Sequence, residues 1–170
     1  MNVVHGSLSS LPDRVSGQLW ARLPTRTLGQ GGRIGRLAIC FEGGEGGFLS
    51  ITVAAKGDRF TLRLQIVEIR PIGDGEQDPR LGQIVIDGRT VRFGLATSEW
   101  RKASGTTLTT LATCNYDALV QALLNGRELE VRLDGRRFTV GLDSLRRLLA
   151  DALREVCDPE RLPLSRWLAG

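Results

Sequence analysis

Apolar and polar residues alternate most regularly between Leu129 and Leu142. Leu129, Val131 and Leu133 alternate with Glu130 and Arg132. Asp134-Gly135 supplies two residues that tolerate positive φ, and Phe138, Val140 and Leu142 resume the pattern. This predicts a two-residue type I′ hairpin with Val131 opposite Phe138 and Leu129 opposite Val140. The period then changes. Leu145, Leu148, Leu149, Ala152, Leu153 and Val156 share one face of a predicted helix, with Arg146, Arg147, Asp151, Arg154 and Glu155 on the other. Asp143 or Ser144 is placed to cap its start, and Asp158-Pro159 to end it.

The same logic predicts two more hairpins. With Gly57-Asp58 as a turn, Ala55 meets Phe60, Val53 meets Leu62, Ile51 meets Leu64 and Leu49 meets Ile66. On the other, wetter face Thr52 lies across from Arg63 and Ser50 from Gln65. Asp87-Gly88 sets Ile84 opposite Val91, with Ile86 and Phe93 extending that face. Further strands are predicted over Arg36 to Phe41 and Thr106 to Thr113, and an edge strand around Trp20 within Gln18 to Leu23. Glu42 to Gly47, Pro71 to Gly82 and Glu99 to Gly105 read as turns or loops. Asn115 caps a short helix with Ala118, Leu119, Ala122 and Leu123 inward, and Asn125-Gly126 closes it. The fold class expected is mainly β (α+β): an antiparallel β-sandwich or partial barrel built from hairpins, with two helices in the C-terminal half. Residues 33–157 form a single β-rich domain, preceded by a poorly determined segment over 1–32. A C-terminal tail over 158–170 follows, whose Leu162, Leu164, Trp167 and Leu168 dock on the body. Asp-Gly-Arg recurs at two hairpin tips because Asp-Gly is favoured turn chemistry, not because the chain is duplicated.

At 170 residues and 41% hydrophobic, the chain is long enough for one substantial core, and it contains no apolar run long enough to cross a bilayer. Met1 to Gln18 lacks the basic start, apolar core and small-residue cleavage site of a signal peptide. The formal charge is +4, carried by 21 Arg and 2 Lys against 19 acidic residues. Arginine suits phosphate and carboxylate recognition, but these arginines are scattered, as GC-rich coding alone would leave them. Catalysis by a serine or cysteine needs a base, and the only histidine is His5, in the least patterned part of the chain. Cys40, Cys114 and Cys157 match no zinc spacing. They read either as small buried hydrophobes or as one disulfide plus one thiol, with Cys114 and Cys157 the better pair because both flank predicted helices. No metal or cofactor is expected. Gly29 to Gly35 resembles a phosphate-cradling loop in composition only, since it leads into a strand. An anion site is better sought at the hairpin tip, where Arg132 faces Arg137 beside Arg136, and at Arg33 and Arg36. The ordinary alternative at the tip is an ion-pair cluster around Glu130. Aromatic residues do not interleave with the arginines, which argues against nucleic acid.

Leu81 to Leu153 resembles the C-terminal part of the invasion-associated locus B family of bacterial envelope proteins. The likeness rests on a strand ending in Ile86-Asp87-Gly88, Cys114 before the helix Asp117 to Leu124, the Gly126 stop, the strands Leu129 to Leu133 and Phe138 to Leu142, and the final helix. It implies a β-sandwich-like envelope protein without catalysis and a disulfide-bonded Cys114; without it the cytoplasm is the expected compartment. Arg26, Arg33 and Arg36 also invite comparison with the PilZ barrel, which binds cyclic dinucleotides, although its serine-containing turn motif is absent. The function expected is a non-enzymatic binding module with a protein partner, and the alternative is an arginine-based binder of a small anion or cyclic nucleotide.

Overall fold

Period-two alternation with turn residues at the strand ends should give antiparallel hairpins, and it does. The computed structural model describes residues 19–40, 47–69, 80–111, 116–133 and 135–169, with the backbone only at 80, 92 and 93. The strands are β1 (Ala21–Thr27), β2 (Arg33–Cys40), β3 (Gly47–Lys56), β4 (Arg59–Glu68), β5 (Arg80–Ile86), β6 (Arg89–Arg101), β7 (Thr106–Leu111), β8 (Glu128–Leu133) and β9 (Arg136–Gly141). The helices are α1 (Tyr116–Asn125), α2 (Leu145–Val156) and the short α3 (Leu164–Leu168). Among the described residues the strands form one antiparallel sheet in the order β1-β2-β3-β4-β7-β6-β5-β8-β9, curled into a half-barrel. The meander β5-β6-β7 is inserted in reverse, so β5 meets β8 across α1. No helix described is long and apolar enough to cross a membrane.

Core and register follow from the alternation. In β3 and β4 the expected pairs form, from Leu49 opposite Ile66 to Ala55 opposite Phe60, and the inward members are buried. The β8–β9 pairs, Val131 with Phe138 and Leu129 with Val140, also form. Helix α2 lies on this face, burying Leu145, Leu149, Ala152, Leu153 and Val156. Gly35 of β2 admits it closely, because a Cβ there would stand 3.2 Å from the Val156 side chain. The tail packs as well: Leu162, Leu164 and Trp167 are buried, and the Trp167 ring lies 5.0 Å from that of Phe60.

Four expectations are corrected. Ile84 stands opposite Arg92, not Val91, because a bulge lies between Ile84 and Val85. Pairing of Ile84 with Val131 and Ile86 with Leu129 fixes β5 from its other side, so the mismatch is absorbed in β6 at Val91. Beyond the bulge Gly82 faces Gly94, and Leu111 fills the space that a side chain at Gly82 would take. Strand β6 also continues to Arg101, through what the polar run Glu99 to Gly105 suggested was loop, since Trp100 and Arg101 pair with Thr107 and Thr106. Helix α1 buries Leu119, Val120, Leu123 and Leu124 and leaves Ala118 exposed, the larger side chains having claimed the inward face. Ser144 precedes α2 without capping it; its hydroxyl accepts the Trp20 backbone N–H at 3.0 Å. Asn115 and Asp134 lie outside the described residues.

Curvature is measured by two contacts. Trp20, just before β1 at one edge, donates its indole N–H to the Gly141 carbonyl at the end of β9, the other edge, at 2.8 Å. Arg136 of β9 reaches Glu68 of β4 at 2.7 Å although four strands separate them in the sheet. Flat, strands five steps apart would lie roughly 24 Å from each other at about 4.8 Å per step.

Trp20→Phe should keep the ring's packing and strand the Gly141 carbonyl, lowering unfolding free energy by about 1–3 kcal/mol. Urea unfolding should show an earlier midpoint at unchanged slope. Asp117 of α1 accepts from the Trp167 indole and from Arg166, which hold its carboxyl below the usual range. A lowered folded-state pKa stabilises above the ordinary carboxylate pKa, and that contribution disappears as pH falls through the lowered value. The Trp167 indole resonance should therefore move towards its solvent-exposed position as pH falls from about 5 to about 2, and less so in Asp117→Asn.

Candidate functional site

The face of the sheet turned away from α2 carries the residues that the core does not use. Register places them in rows across the strands. Arg36, Thr52 and Arg63 stand side by side on β2, β3 and β4. Ala38, Ser50, Gln65 and Thr110 form the next row, and Cys40, Phe48, Val67 and Leu108 the third. Successive rows are about 6.5 Å apart. Arg101 of β6 and Thr106 of β7 pair one step beyond the third row, at the end of the cavity away from Arg36 and Arg63. Arg36, Arg63 and Arg101 come together with Ser50, Thr52 and Gln65 around a cavity of about 230 Å³, whose remaining wall is Ile34, Phe48, Val67 and Leu108.

Its charge is one-sided. No carboxylate lines the cavity among the described residues, and Arg36 and Arg63 form no ion pair with a described residue. Arg101 pairs with Glu99 at 3.9 Å. Burial pulls the Arg36 guanidinium below its ordinary pKa, and the like charges of Arg26 and Arg101 pull it further. It stays protonated, so the cost is carried by the folded chain. The floor is equally unusual. Ser50 is 3% and Thr52 7% exposed, and neither hydroxyl has a hydrogen-bond partner among the described residues. Gln65 next to them donates to the Thr110 hydroxyl at 3.1 Å. Converging guanidinium groups and two idle hydroxyl donors make a receptor for oxygen anions, since every group presents N–H or O–H.

Of the arginines singled out in the sequence, only Arg36 lies here. Arg33 is three residues away along β2, and an odd separation on a strand sends it to the opposite face. There it donates to the Glu155 carbonyl at 2.9 Å, in the last turn of α2, where positive charge suits the helix dipole. Arg132 pairs with Glu130 at 2.7 Å and Arg137 approaches the same carboxylate at 3.4 Å. The Arg132 guanidinium holds the Glu130 carboxyl below its usual range. Arg136 is engaged by Glu68 and lies over the Phe138 ring, 5.2 Å from its centre. Cys157 is buried, which pushes its thiol up to about 12; Cys114, its suggested partner, and His5 lie outside the described residues. No three His, Cys, Asp or Glu side chains gather to hold a metal among the described residues.

A second groove, of about 370 Å³, lies between the helices beside Arg146, Arg147 and Arg154. Its arginines are largely occupied: Arg146 caps α1 through the Leu124 carbonyl at 2.6 Å, and Arg154 pairs with Asp151.

Residues missed in the sequence are Arg63, Arg101, Ser50, Thr52 and Gln65. The pairing of Thr52 with Arg63 was visible there; that Arg36 flanks Thr52 needed the β2–β3 register.

Because Arg36 is half-buried beside like charges, Arg36→Gln should raise the Tm of the unliganded protein, while Arg132→Gln, which removes a partnered charge, should not. Scanning calorimetry decides this, and a fall in Tm for Arg36→Gln would mean that its charge is compensated. No protein-family model matches the chain, and neither a curated protein nor a solved structure matches it significantly.

Proposed function

We propose that the protein is a non-catalytic binding module that takes a small oxyanion on the open face of its half-barrel. The observation that carries this is the combination of Arg36, Arg63 and Arg101 with the buried hydroxyls of Ser50 and Thr52, unpartnered among the described residues, around one cavity that no described carboxylate lines. Surface arginines normally find acids, as Arg132 does with Glu130. Buried hydroxyls normally find acceptors, and each left idle costs about 1–3 kcal/mol. An anion over Thr52 satisfies both at once: its charge offsets the guanidinium groups on either side, and its lone pairs accept from the hydroxyl beneath. Nothing in this arrangement supplies a nucleophile with a base beside it, so its chemistry is recognition.

Binding of inorganic phosphate and of small carboxylates, followed by calorimetry and by rise in Tm, tests the reading. The expected result is a saturable interaction that weakens with added salt, and that falls at least tenfold in Arg36→Gln and in Arg63→Gln but not in Arg132→Gln. Equal binding by all three variants, or none by the parent protein, would overturn it.

A further inference from the structure

The cations of this face continue out of the cavity, towards the β3–β4 turn. One row back from Arg36, Thr52 and Arg63 stand Arg26, Ile34, Ala54 and Thr61 of β1 to β4, and one row further Lys56 faces Arg59. Ile34 lines the cavity, so its cross-strand partner Arg26 shares the outer face. Lys56 and Arg59 share it too, since an even number of steps along β3 from Thr52, or along β4 from Arg63, returns to the same side. Five cations thus occupy three successive rows, spaced about 6.5 Å apart. None of the five forms an ion pair with a described residue, although Asp58 lies in the turn between Lys56 and Arg59. Lys56 donates only to the Gln30 side-chain carbonyl, at 3.0 Å. Burial first, and then the charge of Arg26, pull the Arg36 guanidinium below its ordinary pKa, so the two side chains stand within electrical reach. Like charges set directly opposite, as Lys56 and Arg59 are, destabilise a sheet unless an anion lies between them. We propose that the site takes a linear chain of phosphoryl groups, an oligophosphate whose end sits over Thr52 and whose length runs back past Arg26 to Lys56 and Arg59. The inference rests on the anion-binding reading above and extends the same site out of the cavity.

The positions of the cations give the chain its direction. From Thr52 towards the turn, Arg26 is one row away and the Lys56–Arg59 pair two. In the opposite direction the next cation is Arg101, three rows off, beyond the apolar row of Phe48, Val67 and Leu108 and already paired with Glu99. The strip from Thr52 to Lys56 is four residues of β3, about 13 Å. A lone carboxylate or phosphate would touch one row and leave two uncompensated. Linked phosphoryl groups supply negative charge at every unit, and guanidinium forks take their oxygens in pairs. The terminal group, which carries more charge than the internal ones, faces Arg36 and Arg63 together and accepts from the buried Thr52 hydroxyl. Arg26, Lys56 and Arg59 are exposed, which leaves the strip open along its length.

The test is a chain-length series on the intact protein in metal-free buffer: inorganic phosphate, pyrophosphate, tripolyphosphate and a longer linear polyphosphate, each titrated by calorimetry. Affinity should rise by about threefold or more with each added phosphoryl group until the strip is covered, and salt should weaken the longer members more steeply. Arg26→Gln, and Lys56→Gln combined with Arg59→Gln, should flatten the series while leaving inorganic phosphate bound as before; all three side chains are exposed, so the fold survives their loss. Arg36→Gln should weaken every member. Arg147→Gln, which removes the same charge from α2, should change none. Adenosine triphosphate run beside tripolyphosphate separates the two sources of such a chain: equal or weaker binding supports the site with a free polyphosphate as its ligand, tighter binding supports it with a nucleotide. Inorganic phosphate binding with no dependence on chain length would overturn this inference and leave the anion-binding reading intact. So would a series that Arg147→Gln lowers as much as Arg26→Gln does, because net charge alone would then explain it. No binding by any member would overturn both.

Discussion

A single hydrogen bond, from the Trp20 indole to the Gly141 carbonyl, closes a sheet whose edges would otherwise lie far apart. Nine strands laid flat would hold β1 and β9 roughly 38 Å from each other, eight steps of about 4.8 Å. Here the residue before the first strand touches the last residue of the ninth. Everything inside the curl depends on that approach. Helix α2 packs on β1, β2 and β3, and the loop that starts it begins where β9 ends, beside Trp20. The Trp20 backbone N–H bonds the Ser144 hydroxyl, so one residue ties the edge strand, the closing strand and the helix start. Glu155 repeats this at the far end of α2, receiving Arg22 and Thr25 of β1 and presenting its carbonyl to Arg33 of β2.

Closure on one face leaves the other free for chemistry that a core would not tolerate. Arg36 and Arg63, which form no ion pair with a described residue, and the two unpartnered hydroxyls are a cost to the folded state, and the chain retains them on a face with little structural duty. Natural proteins hold such locally unfavourable groups where function requires them. The contrast with the β8–β9 hairpin is informative. Its arginines carry the same charge, yet Glu130 and Glu68 neutralise them, and the surface they make is ordinary. Arginine count alone therefore says little; which face each arginine occupies, and what faces it, decides.

Most of the fold was legible, because hairpin register is local information. Gly57-Asp58 and Asp87-Gly88 mark turns, and alternation tells which side is inward. The order of hairpins in the sheet was not legible, since pairing of β4 with β7 and of β5 with β8 depends on contacts between segments far apart in sequence. The site suffered for the same reason. Thr52 with Arg63 and Ser50 with Gln65 could be read as cross-strand pairs within one hairpin, whereas Arg36 joins them from a strand across the segment 41–46. Arg33 and Arg36 looked like partners by proximity in sequence, and strand geometry separates them.

The bulge at Val91 carries a consequence for how such a site changes over time. Val91 packs against the core and Arg101 lines the cavity on the opposite face, although both are odd-numbered residues of one strand. In an unbroken strand they would point the same way. The extra residue acts as a frame shift in three dimensions: the change of parity is absorbed at Val91, so that Arg101 faces outward while β5 keeps its pairing with β8. Loss of that one residue would let the strand run straight on past Thr90 while Arg101 kept its place opposite Thr106, so the cavity would keep its cation. The bulge thus works as a buffer: a change in strand length that would be expected to swap the two faces of β6 is taken up at one residue, and the pocket's charge is insulated from it.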